Sequence, residues 1–300
     1  MKKTRKIRRS KEEWILDIFI YAIMALVIIV TLYPFYYVII LAFNDAVDAT
    51  RGGIYLFPRK FSLQNFKSLF EDGGWGQACI ISVSRTVIGS GLGLMFTSLV
   101  AYAISFEHVL FRNTYNKLYI FTMYFSGGMI PFYILLKNIH MLNTFWVYVI
   151  PGMFSVYHML IMVNFFRELP SSLYESARLD GAGDMRIFFQ ITLPLSKACL
   201  ATMTLFNAVS QWNSWIDSAY YVTREELRPM AYLMMEIINK SNAAANVDSA
   251  VAMEMASTAV TTTTSLQMAA MVLAVGPILC IYPFLQKYFV KGVMVGSVKG

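Results

Sequence analysis

Charged residues are scarce in this chain of 300 residues. Asp, Glu, Lys and Arg make up 14% of the sequence, whereas hydrophobic residues make up 57%. Soluble globular proteins carry about 25% charged residues, so the composition excludes an ordinary water-soluble domain. The 22 Phe, 18 Tyr and 5 Trp exclude a disordered chain, because disordered segments contain few aromatic residues. The composition therefore indicates an integral membrane protein.

Cysteine and histidine are also rare. The three cysteines, Cys79, Cys199 and Cys280, lie far apart and form no CxxC pair, so a disulfide framework is not indicated. The three histidines show no metal-ligand spacing, and neither H-E-x-x-H nor G-x-S-x-G occurs. The sequence also has no Gly-Lys dipeptide, which excludes a P-loop. We therefore expect no catalytic residue, no metal site and no cofactor bound by this chain.

Long apolar runs dominate the sequence instead. A bilayer core of about 30 Å needs around 20 apolar residues in a helix. Six stretches reach this length, namely 18–43, 86–106, 118–136, 141–166, 198–216 and 266–285. They predict an all-α integral membrane protein with six transmembrane helices in a single domain over residues 15–290.

Basic residues are distributed unevenly between the segments that connect these spans. Seven Lys and Arg precede residue 12, and about twice as many lie on that side of the spans as on the other. The positive-inside rule places the basic tail 1–14, the loop 167–197 and the tail 291–300 in the cytoplasm. Segments 44–77 and 222–264 become long extracellular loops. The positive charge has affinity for anionic lipid, so a nucleic-acid partner is not needed to explain it.

The cytoplasmic loop 167–197 has an unusual amount of local structure. Pro170 ends the preceding span, and Ser172 with Glu175 predicts a capping box that opens a short helix. Gly181 can end this helix in the left-handed conformation. The loop therefore begins with a short, capped helix.

A second short helix is predicted directly after the first. Asp184 can cap its N-terminus, and Pro194 closes it. Four apolar residues are expected to share one face of this helix: Ile187, Phe188, Ile191 and Leu195. Two short helices joined by a glycine turn form a knob that is suited to docking into the groove of a partner.

The residues of this loop resemble the E-A-A…G…I-x-L-P motif of ABC importer permeases. The matching positions are Glu175, Ser176, Ala177, Gly181, Ile191, Leu193 and Pro194. Ser176 departs from the motif by one small residue for another. Asp180, Gly181 and Ala182 form the D-G-A variant that is typical of carbohydrate importers. The chain is thus identified as a member of the maltose-type, binding-protein-dependent family of carbohydrate importer permeases.

Other parts of the chain resemble the same family. Residues 97–103 resemble the end of its second span, 211–215 resemble the Trp-Asn segment of its fifth, and 286–292 resemble its C-terminal tail. The resemblance covers roughly 15–300. The long extracellular loops and the tail are similar to the group that handles oligosaccharides and pectin- or xylan-derived glycans.

The resemblance implies an ATP-driven sugar importer in a bacterial plasma membrane. This chain would form half of the pathway, with a second homologous permease as its heterodimer partner. Two copies of a separate ATPase would bind ATP and Mg, and an extracellular sugar-binding protein, in some cells a lipoprotein, would deliver the sugar. The coupling helix that docks on the ATPase would comprise Glu175, Ser176, Ala177, Asp180, Gly181 and Ala182. Membrane lipid completes the expected partners.

Several polar and aromatic residues inside the spans are candidates for contact with the sugar. A sugar needs hydrogen-bond partners and aromatic faces, and the candidates are Arg85, Tyr124, Ser126, Asn207, Gln211, Trp212 and Asn213. The alternative for each of them is interhelical hydrogen bonding and packing. Similarly, Gly89 and Gly93 form a GxxxG step that indicates close packing of helices.

Arg85 allows two interpretations, because an ionisable residue in a span is a functional candidate by default. It can face a cavity and bind an acidic glycan, or it can lie at the helix end and extend its side chain outward to water. Asp217 is either its ion-pair partner or a residue of the outer interface.

Two other functions remain open from the residues alone. The first is an ABC importer permease for a solute other than sugar, such as a peptide or an amino acid. The second is a six-span membrane enzyme or scaffold that acts on lipid, although its candidate catalytic residues are scattered. A secondary carrier is disfavoured, because neither an internal repeat nor a pair of acidic residues is apparent. The identity of the sugar is not encoded in a recognisable motif.

Overall fold

The computed structural model describes residues 11–72, 74–245 and 261–296. Most of the basic tail 1–14 and the last four residues lie outside this range. The helices are α1 Lys11–Ala42, α2 Ala46–Thr50, α3 Gln64–Asp72, α4 Trp75–Ser105, α5 Arg112–Tyr124, α6 Met129–Asn138, α7 Val156–Arg167, α8 Ser171–Leu179, α9 Asp184–Ile187, α10 Leu193–Leu195, α11 Lys197–Asn213, α12 Ile216–Tyr221, α13 Met230–Ala245 and α14 Thr263–Gly296. Short 3-10 turns at Phe145–Tyr148 and Glu225–Leu227 and a π-helical turn at Phe188–Thr192 complete the helical structure of the described residues. The predicted all-α fold class is confirmed for these residues.

Three helices of the described chain are long and apolar enough to cross a membrane. They are α1, α4 and the segment Thr263–Cys280 of α14. Two bent pairs also qualify if each pair is counted as one span, namely α5 with α6 and Asp184–Leu195 with α11. The described residues thus offer three to five spans, and the predicted count of six stays a prediction.

The expected fourth span, 141–166, is not a continuous helix. Only α7 is regular over its second half, while the first half contains the 3-10 turn Phe145–Tyr148. Val147 and Val149 in this first half are buried inside the protein. Some apolar residues of 141–166 therefore pack inside the protein, while others can face lipid. Hydropathy alone does not distinguish these two groups of residues.

The expected third span, 118–136, is broken in its middle. The helix direction bends by 110° between α5 and α6, and the break falls at residues 125–128. Gly128 has φ +86° and ψ 170°, a conformation that is essentially restricted to glycine. The Gly128 N–H donates to the Ser126 hydroxyl over 3.1 Å, which stabilises the turn.

The second span begins earlier than its apolar run suggests. It was expected to start at residue 86, but α4 begins at Trp75 and runs for 31 residues. Arg85 therefore lies well inside the helix and is 1% exposed. The interpretation of Arg85 as a helix-end residue that extends to water is wrong.

The chain divides into two compact units. The first comprises Met1–Leu69 and Lys240–Val272, and the second comprises Phe70–Asn239 and Leu273–Gly300. In the first unit, Ile40, Leu41 and Ile54 form a small buried cluster. The second unit has the larger core, in which α4 packs against α7 and α11. The single domain expected over 15–290 stays a prediction.

The break between α5 and α6 generates a test of its glycine. Replacing Gly128 with Ala should destabilise the protein by about 1–3 kcal/mol, because a residue with a Cβ is strained in this conformation. Gly127→Ala is the matched control, since Gly127 has no positive φ and neither glycine has a neighbour within 4 Å of an added Cβ. Thermal unfolding of the purified protein in detergent measures both variants. Equal midpoints for the two variants would contradict the assigned role of Gly128.

Candidate functional site

The first candidate region is the loop that was expected to form a knob, and its central turn is confirmed. Helix α8 ends at Leu179, and Gly181 follows with φ +78°. The Gly181 N–H donates to the Arg178 carbonyl over 3.0 Å, and the Ala182 N–H donates to the Ala177 carbonyl over 2.9 Å. These two bonds define a Schellman motif, which ends a helix with a glycine in the left-handed region.

Both predicted caps of this region are wrong in detail. Helix α8 begins at Ser171 with Pro170 at the N-cap position, so Ser172 already lies inside the helix. Similarly, Gly183 precedes α9, and Asp184 is its first helical residue. The Asp184 carboxylate accepts a hydrogen bond from Arg178 over 3.1 Å instead. Helix α8 starts two residues earlier than expected and α9 one residue earlier, because Pro170 and Gly183 occupy the cap positions.

The motif residues of α8 point in two directions. Tyr174 and Ala177, three positions apart on one face, are buried within the core of the second unit. Glu175 and Ser176 are exposed, as are Asp180 and Gly181 in the turn that follows. Ala182 is partly buried. The leucine before the turn, Leu179, is 89% exposed, so the end of α8 presents an apolar side chain to its surroundings.

The second half of the knob is anchored more deeply than the first. Ile187 and Phe188 are 1% and 0% exposed, and the Tyr102 hydroxyl of α4 donates to the Asp184 carbonyl over 3.3 Å. Residues Phe188–Thr192 form a π-helical turn before Pro194, which has no N–H to continue the α-helical pattern. A π-helical turn contains more residues than an α-helical turn, so the residues after it are rotated around the helix axis relative to Ile187 and Phe188. Leu195 is accordingly 50% exposed. The four apolar residues therefore do not share one buried face as expected.

The second candidate region is a buried polar centre around Arg85. The Arg85 Nε and Nη2 donate to the Gln211 Oε1 over 3.3 and 3.1 Å, and Nη1 donates to the Ser214 carbonyl over 3.1 Å. Nη1 also donates to the Asp217 Oδ1 over 3.2 Å, while Nη2 donates to Oδ2. An arginine side chain has five N–H groups, and each of them has a partner here. Asp217 is thus confirmed as the ion-pair partner of Arg85.

The aromatic ring of Tyr148 closes one side of this centre. The Arg85 guanidinium lies 4.4 Å from the ring centroid, a cation–π geometry. The Tyr148 hydroxyl donates to the Leu227 carbonyl over 2.8 Å and lies 3.2 Å from the Ser218 hydroxyl. Tyr148 was not among the expected site residues, and nothing in its local sequence signals this contact.

Two glycines make room for the amide of Gln211. A Cβ added at Gly89 would lie 2.8 Å from the Gln211 Nε2, and a Cβ added at Gly152 would lie 3.5 Å from it. The Gln211 Nε2 donates to the Tyr148 carbonyl over 3.2 Å. At Gly93 an added Cβ would lie 3.7 Å from the Asn207 Nδ2. The close packing expected of the Gly89–Gly93 step is therefore confirmed.

The structure brings only some of the expected pathway residues together. Arg85 and Gln211 are hydrogen-bonded, and Asn207 lies one turn from Gln211 on α11. The Trp212 Nε1 donates to the Ala274 carbonyl over 2.9 Å, and Asn213 is exposed where α11 ends. Tyr124 and Ser126 are exposed at the break between α5 and α6. Contact of these side chains with a sugar stays a prediction.

Comparison with known proteins gives a consistent picture. The chain matches the family described as "binding-protein-dependent transport system inner membrane component" over residues 7–295. It is 35% identical over 284 residues to the polygalacturonan/rhamnogalacturonan transport system permease protein YtcP of Bacillus subtilis, covering 95% of this chain and 98% of that protein. It is 36% identical to protein LplC of the same bacterium over 90% of each chain.

A solved structure that is 27% identical in sequence shares the fold. It is the crystal structure of a bacterial ABC transporter involved in the import of the acidic polysaccharide alginate. The superposition covers 95% of this chain and 100% of the matching chain, with a TM-score of 0.82 and 27% identity.

The pairing of Arg85 with Asp217 can be tested by removing the carboxylate. Asp217→Ala should destabilise the protein by about 3–5 kcal/mol, because it leaves a buried guanidinium without its counter-charge. Glu226→Ala is the matched control, since Glu226 pairs with Arg224 and both side chains are more than 60% exposed. The control should change little. Thermal unfolding in detergent measures both, and a small effect at residue 217 would contradict the assigned role.

The space around Gln211 provides a second test within the same helix. Gly89→Ala should destabilise the protein by about 1–3 kcal/mol, because the added methyl displaces the amide that accepts from Arg85. Gly91→Ala is the control, since an added Cβ there meets open space. Alanine is favoured over glycine in a helix, so the control should leave the unfolding midpoint unchanged or raise it. An equal unfolding midpoint for both variants would contradict the prediction, because it would show that the Gln211 amide accommodates the added methyl group.

Proposed function

Because the chain belongs to the family of binding-protein-dependent transport system inner membrane components, we propose that it is a permease subunit of an ATP-driven sugar importer. It is a multi-pass protein of the plasma membrane and forms half of the translocation pathway. A second homologous permease provides the other half. The energy comes from two copies of a separate ATPase, which bind ATP and Mg, while an extracellular binding protein delivers the sugar.

The proposed topology places both termini and the 167–197 loop in the cytoplasm. The support is the excess of basic residues on that side of the spans. Six crossings result if α1, α4, the pair α5 with α6, α7 with the segment before it, α11 and α14 each cross once. The loops 44–77 and 222–264 then lie on the extracellular side, from which the binding protein delivers the sugar.

The proposed site of coupling is the knob formed by α8, α9 and the turn between them. Its inner side is anchored by Phe188 and Tyr174, which are buried in the core of the second unit. Its outer side offers Glu175 and Leu179 to a partner. A loop fixed on one side and exposed on the other can pass a movement of the ATPase to the spans. This division is the observation that carries the proposal.

The proposed solute is an oligosaccharide. The name of YtcP assigns polygalacturonan and rhamnogalacturonan to that relative, and the alginate importer takes up an acidic polysaccharide. The arabinooligosaccharides transport system permease protein AraQ of Halalkalibacterium halodurans is 27% identical over 92% of this chain. In the described conformation Arg85 has every N–H occupied. An acidic sugar would therefore need other partners in this chain or in the second permease.

Uptake by the complete importer in lipid vesicles tests the proposed solute. Vesicles that contain both permeases and the ATPase, with the binding protein outside, should accumulate labelled oligogalacturonides only when ATP is inside. Arabinooligosaccharides and a tripeptide serve as comparison solutes. Uptake of the peptide without any sugar would favour the alternative of a permease for a non-sugar solute.

The proposed coupling surface leads to a prediction at residue 179. Leu179→Asp should abolish most sugar-stimulated ATP hydrolysis, because it places a charge on the apolar contact with the ATPase. The stability of the permease should not change, since the side chain is 89% exposed. ATP hydrolysis and uptake in the vesicles, together with the unfolding midpoint, are the measurements.

Two controls separate coupling from general damage. Leu179→Met keeps the apolar contact and should retain activity. Leu110→Asp changes a leucine that is 79% exposed on another connection, and it should retain activity as well. Full ATP hydrolysis and uptake with Leu179→Asp would contradict the proposed docking surface.

A further inference from the structure

A short loop of the first unit carries an exposed apolar tip. Residues 55–57 are Tyr55, Leu56 and Phe57, and their exposed fractions are 63%, 63% and 76%. Such a patch is unfavourable in water. We call these three residues the tip.

The loop that carries the tip is fixed at its base. Ile54 is 3% exposed and packs with Ile40 and Leu41 of α1. Across the loop, the Arg59 Nη2 donates to the Gly52 carbonyl over 2.8 Å, and its Nη1 lies 3.4 Å from the Asp48 Oδ1. The loop is therefore closed at its two ends and anchored at its base, which leaves the tip exposed.

The backbone of the tip is bound to the side of α1. The Tyr36 hydroxyl donates to the Leu56 carbonyl over 2.6 Å, and the Tyr33 hydroxyl donates to the Tyr55 carbonyl over 3.4 Å. Tyr36 lies six residues before Ala42, where α1 ends. At 1.5 Å per residue, the tip folds back along the helix by about 9 Å.

This depth coincides with the membrane interface expected from the length of the first span. A bilayer core of about 30 Å spans about 20 helical residues. Counted from Ile18, directly after the charge of Asp17, such a span ends at Tyr37. Tyr33, Tyr36 and Tyr37 thus form the aromatic belt that marks an interface, and the tip lies beside it.

The charges around the tip suit a lipid surface. Arg51, Arg59 and Lys60 flank the tip and are exposed. An apolar tip with basic flanks has the composition of segments that lie in the membrane interface.

We propose that the tip inserts into the bilayer interface at the C-terminal end of α1. Its three apolar side chains contact the upper part of the acyl chains, and the basic residues beside it contact lipid phosphates. The hydroxyls of Tyr33 and Tyr36 satisfy two carbonyls that would otherwise face the apolar layer, which removes the main cost of such insertion. The loop thereby fixes the depth of α1 in the membrane.

Spin labelling tests this proposal in the intact importer in lipid nanodiscs. Cys79, Cys199 and Cys280 are replaced by Ser, and a single cysteine is introduced by Phe57→Cys or, as a control at the base of the loop, Thr50→Cys. Collision rates of the attached nitroxide with oxygen and with a water-soluble nickel complex are measured by power saturation. The proposal expects oxygen to dominate at residue 57 and a lower oxygen-to-nickel ratio at residue 50.

Two other results would overturn the proposal. Dominant access of the nickel complex at residue 57 would place the tip in water. Loss of access to both reagents would mean that another protein chain covers it.

If the variant without cysteines does not fold, Phe57→Trp in the natural background gives a second measurement. Brominated lipid should then quench a larger fraction of tryptophan fluorescence than in the unsubstituted protein, and an unchanged fraction would contradict the proposal.

Discussion

The buried guanidinium of Arg85 is the interaction on which the packing of the second unit depends. A charge inside a membrane protein is tolerated only when it is paired and fully hydrogen-bonded. The Asp217 carboxylate supplies the charge, and Gln211 with the Ser214 carbonyl supplies the remaining acceptors. These bonds join the middle of α4 to α11 and to the segment that follows it. The irregular segment around Tyr148 is fixed in the same way, because its ring and its carbonyl contact Arg85 and Gln211.

The same centre explains why α4 tolerates so many small and polar residues. Gly89 and Gly93 bring α4 close to Gln211 and Asn207 of α11. A larger side chain at residue 89 would separate the helices and remove acceptors from Arg85. The glycines and polar residues that lower the hydropathy of α4 are thus the ones that pack it against the rest of the second unit.

Sequence reasoning succeeded where the signal is local. Gly181 ends α8 as expected, because its left-handed conformation and the two bonds of the turn depend on neighbouring residues only. The caps at Ser172 and Asp184 failed because Pro170 and Gly183 compete for the same position. The span limits failed for a different reason. Residues such as Val149 are apolar because they pack inside the protein. The position of Arg85 inside α4 depends on Asp217, 132 residues away, a pairing that the sequence offered only as one of two interpretations.

The division of the knob into a buried and an exposed side links the fold to the proposed function. Ala177 and Phe188 hold it to the core of the second unit, while Leu179 and Glu175 remain available. The motif that identified the family therefore combines residues that serve the chain itself with residues offered to a partner. Membership of the importer family leaves a membrane enzyme or scaffold acting on lipid without support.

The most direct test of this account is a photo-cross-linking amino acid at residue 179 in living cells, with residue 110 as the control position. Irradiation, purification of the tagged chain and mass spectrometry identify what residue 179 contacts. The account predicts an adduct with an ATP-binding subunit at residue 179 that is absent at residue 110. An adduct with lipid alone at residue 179 would contradict it.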